Sequence, residues 1–213
     1  MPGVRRIPLT ERNVMSHLRY FLTAFLTLLL SASAIAHQPS YRSQKMSRDD
    51  GTRRGFYYNC GYGYAFHIPK GLVGRGEPDG HPQHGVRIWM SEQPESYVWI
   101  DGSFNSLEWQ TLDDAAKFQR EALNDRGKDV SLIERQAARL GRLKALRLTF
   151  SYVENDTGSR VIEEVVVAQR RSKEEAEIIY TIGLKTPQTT YQRGKRMLES
   201  VLQTWQLKPL PCA

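Results

Sequence analysis

Three hydrophobic segments within residues 144–185 constrain the fold of this 213-residue chain most strongly. They are rich in β-branched and aromatic residues, and two short polar segments with turn-forming residues separate them, which predicts a three-stranded meander. Apolar residues alternate with polar ones in the first segment, and the third segment repeats the pattern, so we expect one face of the sheet to be covered. The residues of this pattern are Leu146, Leu148, Phe150, Tyr152, Ile178, Tyr180, Ile182 and Leu184.

Two amphipathic helices are predicted, one before these strands in the chain and one after them. Thr111 is a good N-cap residue, Asp113 and Asp114 follow it in the first turn, and Gly127 supplies a stop. A second helix begins at Thr189 or Thr190 and ends at about residue 207. The expected buried stripes are Leu112, Ala115, Phe118 and Ala122 in the first helix, and Tyr191, Leu198, Val201, Leu202 and Trp205 in the second, where Gly194 allows close approach to the sheet.

The remaining segments add further strands. Residues 61–68 alternate as a strand, residues 85–90 and 97–104 form a hairpin, and residues 130–140 form a weaker strand. Residues 70–83 contain four glycines and two prolines, and they predict a long loop. The order of elements therefore predicts an α+β fold, in which an antiparallel β-sheet is covered on one face by the two amphipathic helices.

The N-terminal segment has the pattern of a secretory signal peptide. Arg19 precedes an apolar run over residues 20–30, and small residues end at Ala36, after which we expect cleavage. The apolar run is about half of the roughly 20 residues that a membrane-spanning helix needs, so a retained anchor is the less favoured alternative. Because Met15 alone would give a signal of normal length, residues 1–14 extend the segment or precede the true start.

The mature protein is predicted to be mildly basic. Residues 37–55 are polar and aperiodic, which is typical of a flexible leader, and residues 56–213 are expected to form one domain. Residues 1–36 contain four arginines and one glutamate, so their removal lowers the formal net charge from +7 to +4. This charge does not indicate a nucleic-acid-binding protein.

The two cysteines, Cys60 and Cys212, stand near opposite ends of the predicted domain. In an oxidising compartment this placement predicts a disulfide bond between the C-terminus and the first strand. Closure of so long a loop stabilises a fold by roughly 4 kcal/mol on the chain-entropy model. Two unpaired thiols are the alternative.

The order of elements, with several local patterns, resembles the PsbP-like superfamily. The patterns are an opening strand closed by proline (YAFHIP), a strand–glycine–strand unit (ARLGRLKALRLTFSY) and a closing helix (TTYQRGKRMLESVLQTWQL). The resemblance covers about residues 56–207, and it implies a non-enzymatic binding or assembly scaffold with no catalytic motif to transfer. The tryptophan that usually follows the proline in that family is missing here, where Leu72 stands nearby.

One cluster of potential metal ligands lies in the glycine-rich loop. Asp79, His81 and His84 could bind zinc or copper if the fold supplied a further ligand. A solvated loop whose Asp-Gly and His-Pro steps are turn chemistry is the favoured interpretation. Ser103, His84 and Asp101 could form a hydrolase triad, but the chain lacks the G-x-S-x-G elbow, so we expect no catalytic residues. We also expect no cofactor.

Aromatic and basic residues are the candidates for partner binding. Tyr62 and Tyr64 could form a stacking platform together with neighbouring tyrosines, and Trp89 and Trp99 could face each other across the hairpin. Arg170 and Arg171 could dock an acidic surface. The adjacent Glu163 and Glu164 point to opposite faces of their strand, which indicates solvent or a polar partner on the far side of the sheet.

These observations predict an exported, non-enzymatic binding or assembly domain, with a protein as its partner. The alternative is a metal-binding protein or hydrolase centred on Asp79, His81 and His84. We expect a periplasmic or secreted location, a monomer or weak dimer, no bound nucleic acid and no stable membrane span after processing.

Overall fold

The structure, a computed structural model, describes residues 52–76, 84–171 and 177–208. The signal peptide, nearly all of the leader and Cys212 lie outside these ranges. No helix within them is both long and apolar enough to span a membrane. The strands are β1 (Thr52–Arg53), β2 (Phe56–Asn59), β3 (Tyr64–His67), β4 (Gly74–Arg75), β5 (Val86–Glu92), β6 (Glu95–Phe104), β7 (Gly127–Leu140), β8 (Leu143–Glu154), β9 (Arg160–Arg170), β10 (Ile178–Pro187) and β11 (Gln206–Leu207). The α-helices are α1 (Leu112–Arg126) and α2 (Tyr191–Thr204), and a short 3₁₀ helix, Gln188–Thr190, precedes α2.

A large antiparallel sheet forms the body of the fold, in the order β1-β4-β5-β6-β10-β9-β8-β7. A small second sheet has the order β11-β3-β2. The predicted meander is confirmed as β8, β9 and β10, and the predicted hairpin as β5 and β6. The α+β class, with a large antiparallel sheet and two helices, is therefore confirmed.

The two helices cover opposite faces of the sheet, and the expectation that both cover one face is wrong. α1 packs on Leu148 and Phe150, whereas Leu198 and Val201 of α2 pack in the cluster that contains Tyr180 and Ile182. The strand register explains the error. Leu148 stands opposite Val165, and Val165 opposite Gly183, so the apolar residues of β10 lie on the face opposite to those of β8.

Glu163 and Glu164 do point to opposite faces, but neither faces solvent. Both carboxylates are buried, each beneath a different helix. Glu163 receives hydrogen bonds from Arg126 of α1 and from Tyr152. Glu164 pairs with Arg147 and also accepts from the Tyr191 hydroxyl of α2. Each helix is thus joined to the sheet by a charged or phenolic donor that satisfies a buried carboxylate.

The first helix begins and ends where its sequence predicts. The Thr111 hydroxyl accepts from the Asp114 main-chain N–H while the Asp114 carboxylate accepts from the Thr111 N–H, which makes a reciprocal capping box. Gly127 is the C-cap and also the first residue of β7. The predicted stripe is correct at Ala115, but Phe118 is 42% exposed.

The second helix contacts the sheet through Gly194, as predicted. A β-carbon at this position would lie 2.8 Å from Leu184 Cδ1, so a larger residue would require the Leu184 side chain to shift. The helix ends at Thr204 rather than near residue 207. The chain then becomes extended, and Gln206–Leu207 pairs with β3.

The segments before β5 contain more strand than the sequence indicates. Thr52–Arg53 pairs with Gly74–Arg75, so regular structure begins before residue 56 and continues inside the predicted loop of residues 70–83. Phe56–Asn59 pairs with β3, which itself begins at Tyr64 rather than at residue 61. Residues 77–83 of that loop are outside the described ranges.

Candidate binding cleft beside the first helix

A cleft lies next to α1 because this helix covers only one half of its sheet face. α1 packs against β7, β8 and β9. On the same face, Ala115 of α1 packs in one cluster with Trp99 of β6 and Ile179 of β10, and the rest of these strands lies beyond the helix. Between the helix and these strands the structure leaves a cavity of about 440 Å³, which is in the size range of ligand sites.

Three segments of the chain form the cleft. Strand residues make its floor, the connection between β6 and α1 makes one wall, and α1 makes the other. The floor includes Arg87, Tyr97, Trp99, Asp101, Ser103, Ile179 and Thr181; the first wall includes Asn105, Ser106, Leu107 and Trp109; and the second includes Phe118, Gln119, Ala122 and Arg126.

Trp99 lies flat on the sheet at the floor of the cleft. A β-carbon on Gly183 would lie 2.0 Å from the Trp99 ring, so the ring occupies the space above this glycine. Its indole Nε1 is buried and has no hydrogen-bond partner among the described residues. An unpaired buried donor costs about 1–3 kcal/mol, which the packing of the ring must offset.

The predicted pairing of Trp89 with Trp99 across the hairpin is wrong, because the strand register places each tryptophan opposite a different residue. Trp89 stands opposite Tyr97, with ring centroids 4.8 Å apart, and Trp99 stands opposite Arg87. The Arg87 guanidinium lies 4.4 Å from the Tyr97 ring centroid and 5.2 Å from that of Trp89. Cation–π contacts of this kind bind the floor together.

The wall between β6 and α1 is held by side-chain hydrogen bonds. Asn105 accepts from the Trp109 main-chain N–H at 2.9 Å and donates to the Trp109 carbonyl oxygen at 3.0 Å. Gln169 donates to the same carbonyl oxygen at 3.1 Å, and Glu177 accepts from both amides. These bonds fix an irregular segment in one conformation.

The Glu163 carboxylate closes one end of the cleft. Its Oε1 accepts from Arg126 at 3.1 Å, and its Oε2 accepts from the Tyr152 hydroxyl at 3.0 Å. Burial, followed by the negative charge of Glu163, raises the pKa of Tyr152 far above its ordinary value. Tyr152 is therefore a protonated donor at any physiological pH, and each oxygen of Glu163 accepts one hydrogen bond.

The predicted partner-binding residues are not brought together. Tyr64 is fully buried and its hydroxyl donates to the His84 carbonyl oxygen, while the Tyr62 ring contacts the His84 ring at a tilt, with centroids 4.8 Å apart. Arg171 is exposed, pairs with Glu177 and donates to the Gln110 carbonyl oxygen. Of the candidates, Trp99 lines the cleft and the half-buried Trp89 packs beside its floor. Arg170 donates to the Lys208 carbonyl oxygen.

The metal site stays a prediction. Asp79 and His81 lie outside the described residues, and no group of three potential ligands occurs within them. The Nδ1 atom of His84 is buried and unpaired in the described structure. Its main-chain N–H, rather than its ring, donates to the Asp101 carboxylate at 3.0 Å. Asp101 and Ser103 both line the cleft, but this geometry does not make His84 a base for Ser103.

Sequence reasoning missed most of the residues that shape the cleft. Leu107 and Trp109 are apolar residues in a segment that joins a strand to a helix, and neither fits a helix or strand period. An apolar residue in such a connection was the available signal. The pairing of Arg126 with Glu163 gave no signal, because the two residues are far apart in the chain and only the fold brings them together.

Comparison with solved structures supports the fold. The solution structure of cyanobacterial PsbP (CyanoP) from Synechocystis sp. PCC 6803 matches with a TM-score of 0.54 and 16% identity, over 74% of this chain and 93% of that chain. The crystal structure of LpqN, involved in cell envelope biogenesis of Mycobacterium tuberculosis, matches with a TM-score of 0.55 and 13% identity, over 80% and 99%. No family model and no curated protein matches the sequence. The predicted PsbP-like fold is thus confirmed.

Proposed function

We propose that this PsbP-like chain is an exported, non-enzymatic binding domain, and that it holds a protein partner at the cleft beside α1. One observation carries the proposal. Leu107 is 56% exposed and Phe118 is 42% exposed, and both line the cleft on walls that hydrogen bonds or helix structure hold in place. An apolar surface that stays ordered and exposed is typical of a docking site.

The ordered geometry of the cleft supports a binding role. A rigid site loses little conformational entropy when a partner docks, so more of its contact energy appears as affinity. The Asn105 hydrogen bonds and the capping box of α1 order the segment before any partner arrives. The half-buried Trp109 ring packs against the Phe118 ring, with centroids 5.3 Å apart, and continues the apolar surface into the cleft.

Export rests on the predicted signal peptide and on the likeness of fold. Residues 1–36 carry the signal pattern. LpqN is involved in cell envelope biogenesis, and its likeness of fold is consistent with an envelope role for this chain. A periplasmic or secreted location follows in this proposal, and the two cysteines would then meet oxidising conditions.

A pull-down with a cleft-filling variant tests the proposal. The tagged full-length chain, expressed from its own leader in its native cell, is compared with Gln119→Trp, which adds an indole at the cleft wall. Lys117→Trp is the matched control, because it places the same ring on a neighbouring exposed position of α1. We expect the wild type and Lys117→Trp to retain the same protein, and Gln119→Trp to lose at least tenfold of it.

Two results would contradict the proposal. Recovery of no protein above an unrelated exported bait would remove the binding function. Equal recovery by Gln119→Trp, Lys117→Trp and the wild type would show that the partner docks at another surface.

A further inference from the structure

We infer that the cleft accepts an uncharged apolar side chain of the partner, such as leucine, methionine or phenylalanine, together with the peptide groups beside it. This inference rests on the proposed function, since it names the chemistry that the same cleft selects. Three features of the described residues support it: the charges of the cleft, the polar groups of its floor and the apolar residues of its mouth.

The charged groups of the cleft already have partners within the protein. Arg126 pairs with Glu163, and the second Glu163 oxygen accepts from Tyr152. The Arg87 guanidinium lies over two aromatic rings, and an Asp101 oxygen accepts from the His84 N–H. The cleft lining holds two cations, Arg87 and Arg126, and two carboxylates, so it offers no net charge to a charged group, which would lose its water on entry. The cleft therefore selects an uncharged occupant.

The floor of the cleft is not wholly apolar. Ser103 and Thr181, on the adjacent strands β6 and β10, both line it and are half-buried. A hydroxyl group both donates and accepts, so it can pair with a peptide carbonyl oxygen or a peptide N–H. An alkyl chain would bury these hydroxyls without partners. The floor thus favours an occupant with amide groups over a purely hydrocarbon one.

The mouth of the cleft indicates that the occupant belongs to a larger partner. Leu107 and Phe118 line the cleft and are still largely exposed to solvent. A small molecule inside the cleft would leave much of this apolar surface in water. A protein segment that inserts one side chain can cover the exposed surface with its flanking residues, as a buried anchor with its surrounding contacts does.

Capped amino acids test the inference directly. The probes are N-acetyl-L-leucinamide and N-acetyl-L-phenylalaninamide, which carry one apolar side chain and two amide groups. The readout is the indole N–H signals of Trp99 and Trp109 in ¹⁵N NMR spectra of the folded protein, identified by Trp→Phe substitution. We expect saturable shifts with a Kd of the order of 1 mM, as ligand efficiencies give for about twelve to fifteen non-hydrogen atoms.

Further probes separate the sources of binding. N-acetyl-L-lysinamide has the same amide groups and a charge, and we expect at least tenfold weaker binding. D-glucose and 1-octanol represent a sugar and an uncharged alkyl chain. Binding of either one more tightly than the leucine and phenylalanine probes would overturn the assignment, and so would equal binding of the lysine probe or no saturable shift with the apolar probes.

Matched variants place the probes in the cleft. Leu107→Asp adds a charge at the mouth, and Ile133→Asp makes the same kind of change at an aliphatic residue of β7 that is 60% exposed and does not line the cleft. We expect the first to weaken binding at least fivefold and the second to leave it unchanged. If Leu107→Asp does not fold, Gln119→Trp replaces it with the same expectation. Equal affinities in the cleft variant and in Ile133→Asp would overturn the inference.

The two hypotheses fail in different ways. A partner that Gln119→Trp loses in the pull-down, combined with no binding of the capped amino acids, would leave the proposed function intact and contradict the inferred occupant. Recovery of no partner by the wild type would contradict the proposed function itself, whatever the probes show.

Discussion

Buried carboxylates are the residues whose role the structure changes most. Glu164 is fully buried, pairs with Arg147 and accepts from Tyr191, while Arg147 also bonds Glu199 of α2. The pair therefore joins β8, β9 and α2 at one point. A buried ion pair contributes little net stability, but loss of one partner leaves an uncompensated charge.

We predict that Arg147→Met lowers the free energy of unfolding by about 3–5 kcal/mol, because Glu164 would remain buried without its cation. The double variant Arg147→Met/Glu164→Leu is expected to recover most of the loss, since it removes both charges. Urea denaturation measures both values. Lys144→Met, an exposed change on the same strand, is the control and should alter stability by less than about 0.5 kcal/mol. A single variant as stable as the control would contradict this role of the ion pair.

Gly183 sets the position of Trp99 and provides a second prediction. Because a β-carbon would enter the Trp99 ring, Gly183→Ala should displace the indole and cost about 1–3 kcal/mol through overpacking. Tryptophan fluorescence and urea denaturation measure the two effects. Gly61→Ala is the control, since its new methyl group would meet its nearest neighbour at an ordinary 3.7 Å. Unchanged stability and fluorescence in Gly183→Ala would show that the ring does not occupy this space.

For a single residue, the sequence predicts the face of the sheet to which the side chain points, but not the groups that it contacts. Alternation along a strand places Glu163 and Glu164 on opposite faces, and the structure agrees. What lies over each face depends on the tertiary packing of α1 and α2, which no local pattern encodes. The sequence predicts solvent or a polar partner on the far side of the sheet, and the structure instead has two buried carboxylates that pair with polar groups of the chain itself.

Among the elements, the strands of the meander were predictable from the sequence. It was not predictable which face of the sheet the apolar residues of each strand would occupy. Each strand alternates, so either face of β10 could continue the apolar face of β8. The turns and the register decide this choice, and a shift of one residue exchanges the faces. Here the register places Ile182 opposite Val166 and Thr181 opposite Val167, which gives both faces of the sheet apolar residues. The sheet consequently needs a helix on each side.

The start of α1 allows a prediction about pH. Hydrogen bonds from the Thr111 main chain and side chain lower the pKa of Asp114 below its ordinary value. Because the folded-state pKa is lower than the unfolded one, the ionised carboxylate stabilises the fold above the unfolded pKa of about 4, and this contribution is lost as the pH falls through the folded pKa. We expect the stability of Asp114→Asn to fall less than that of wild type between neutral pH and pH 3 in thermal unfolding.

Removal of the cap itself gives an independent test of the same element. Thr111→Ala should cost about 1 kcal/mol, as other N-cap substitutions do, and should weaken the pH dependence, because the hydrogen bond from the threonine hydroxyl to Asp114 is lost. Urea denaturation at neutral pH measures the first effect. An unchanged midpoint would show that the capping box does not stabilise α1.

For the whole molecule, export and oxidation are the predictions that the described residues leave open. Cys60 lies half-buried in the turn after β2, and Cys212 is outside the described ranges. Intact-mass measurement tests both: we expect the exported protein to begin at His37 and, if the two cysteines are bonded, to weigh two hydrogens less than the reduced chain. Cys60→Ser should then lower stability by up to roughly 4 kcal/mol. A cytosolic product with an uncut leader and two free thiols would contradict this.

The cleft is a property of the whole fold and could not be predicted from the sequence. The periodicity of α1 indicates a helix that packs on a sheet, but it does not say which strands lie beneath it. Because α1 packs on β7, β8 and β9, the floor on β5, β6 and β10 stays open. The hairpin residues Tyr97 and Trp99 then line the cleft, although the predicted pairing of Trp89 with Trp99 was wrong.

Photo-crosslinking from the mouth of the cleft tests most directly whether a protein partner docks there. The photoreactive residue p-benzoylphenylalanine replaces Phe118 in the full-length chain, in its native cell, and the control replaces the exposed Ile133 of β7 in the same way. We predict that irradiation joins one protein to position 118 and not to position 133, and that Gln119→Trp abolishes the adduct. The same adducts at both positions, or none at position 118, would contradict docking at the cleft.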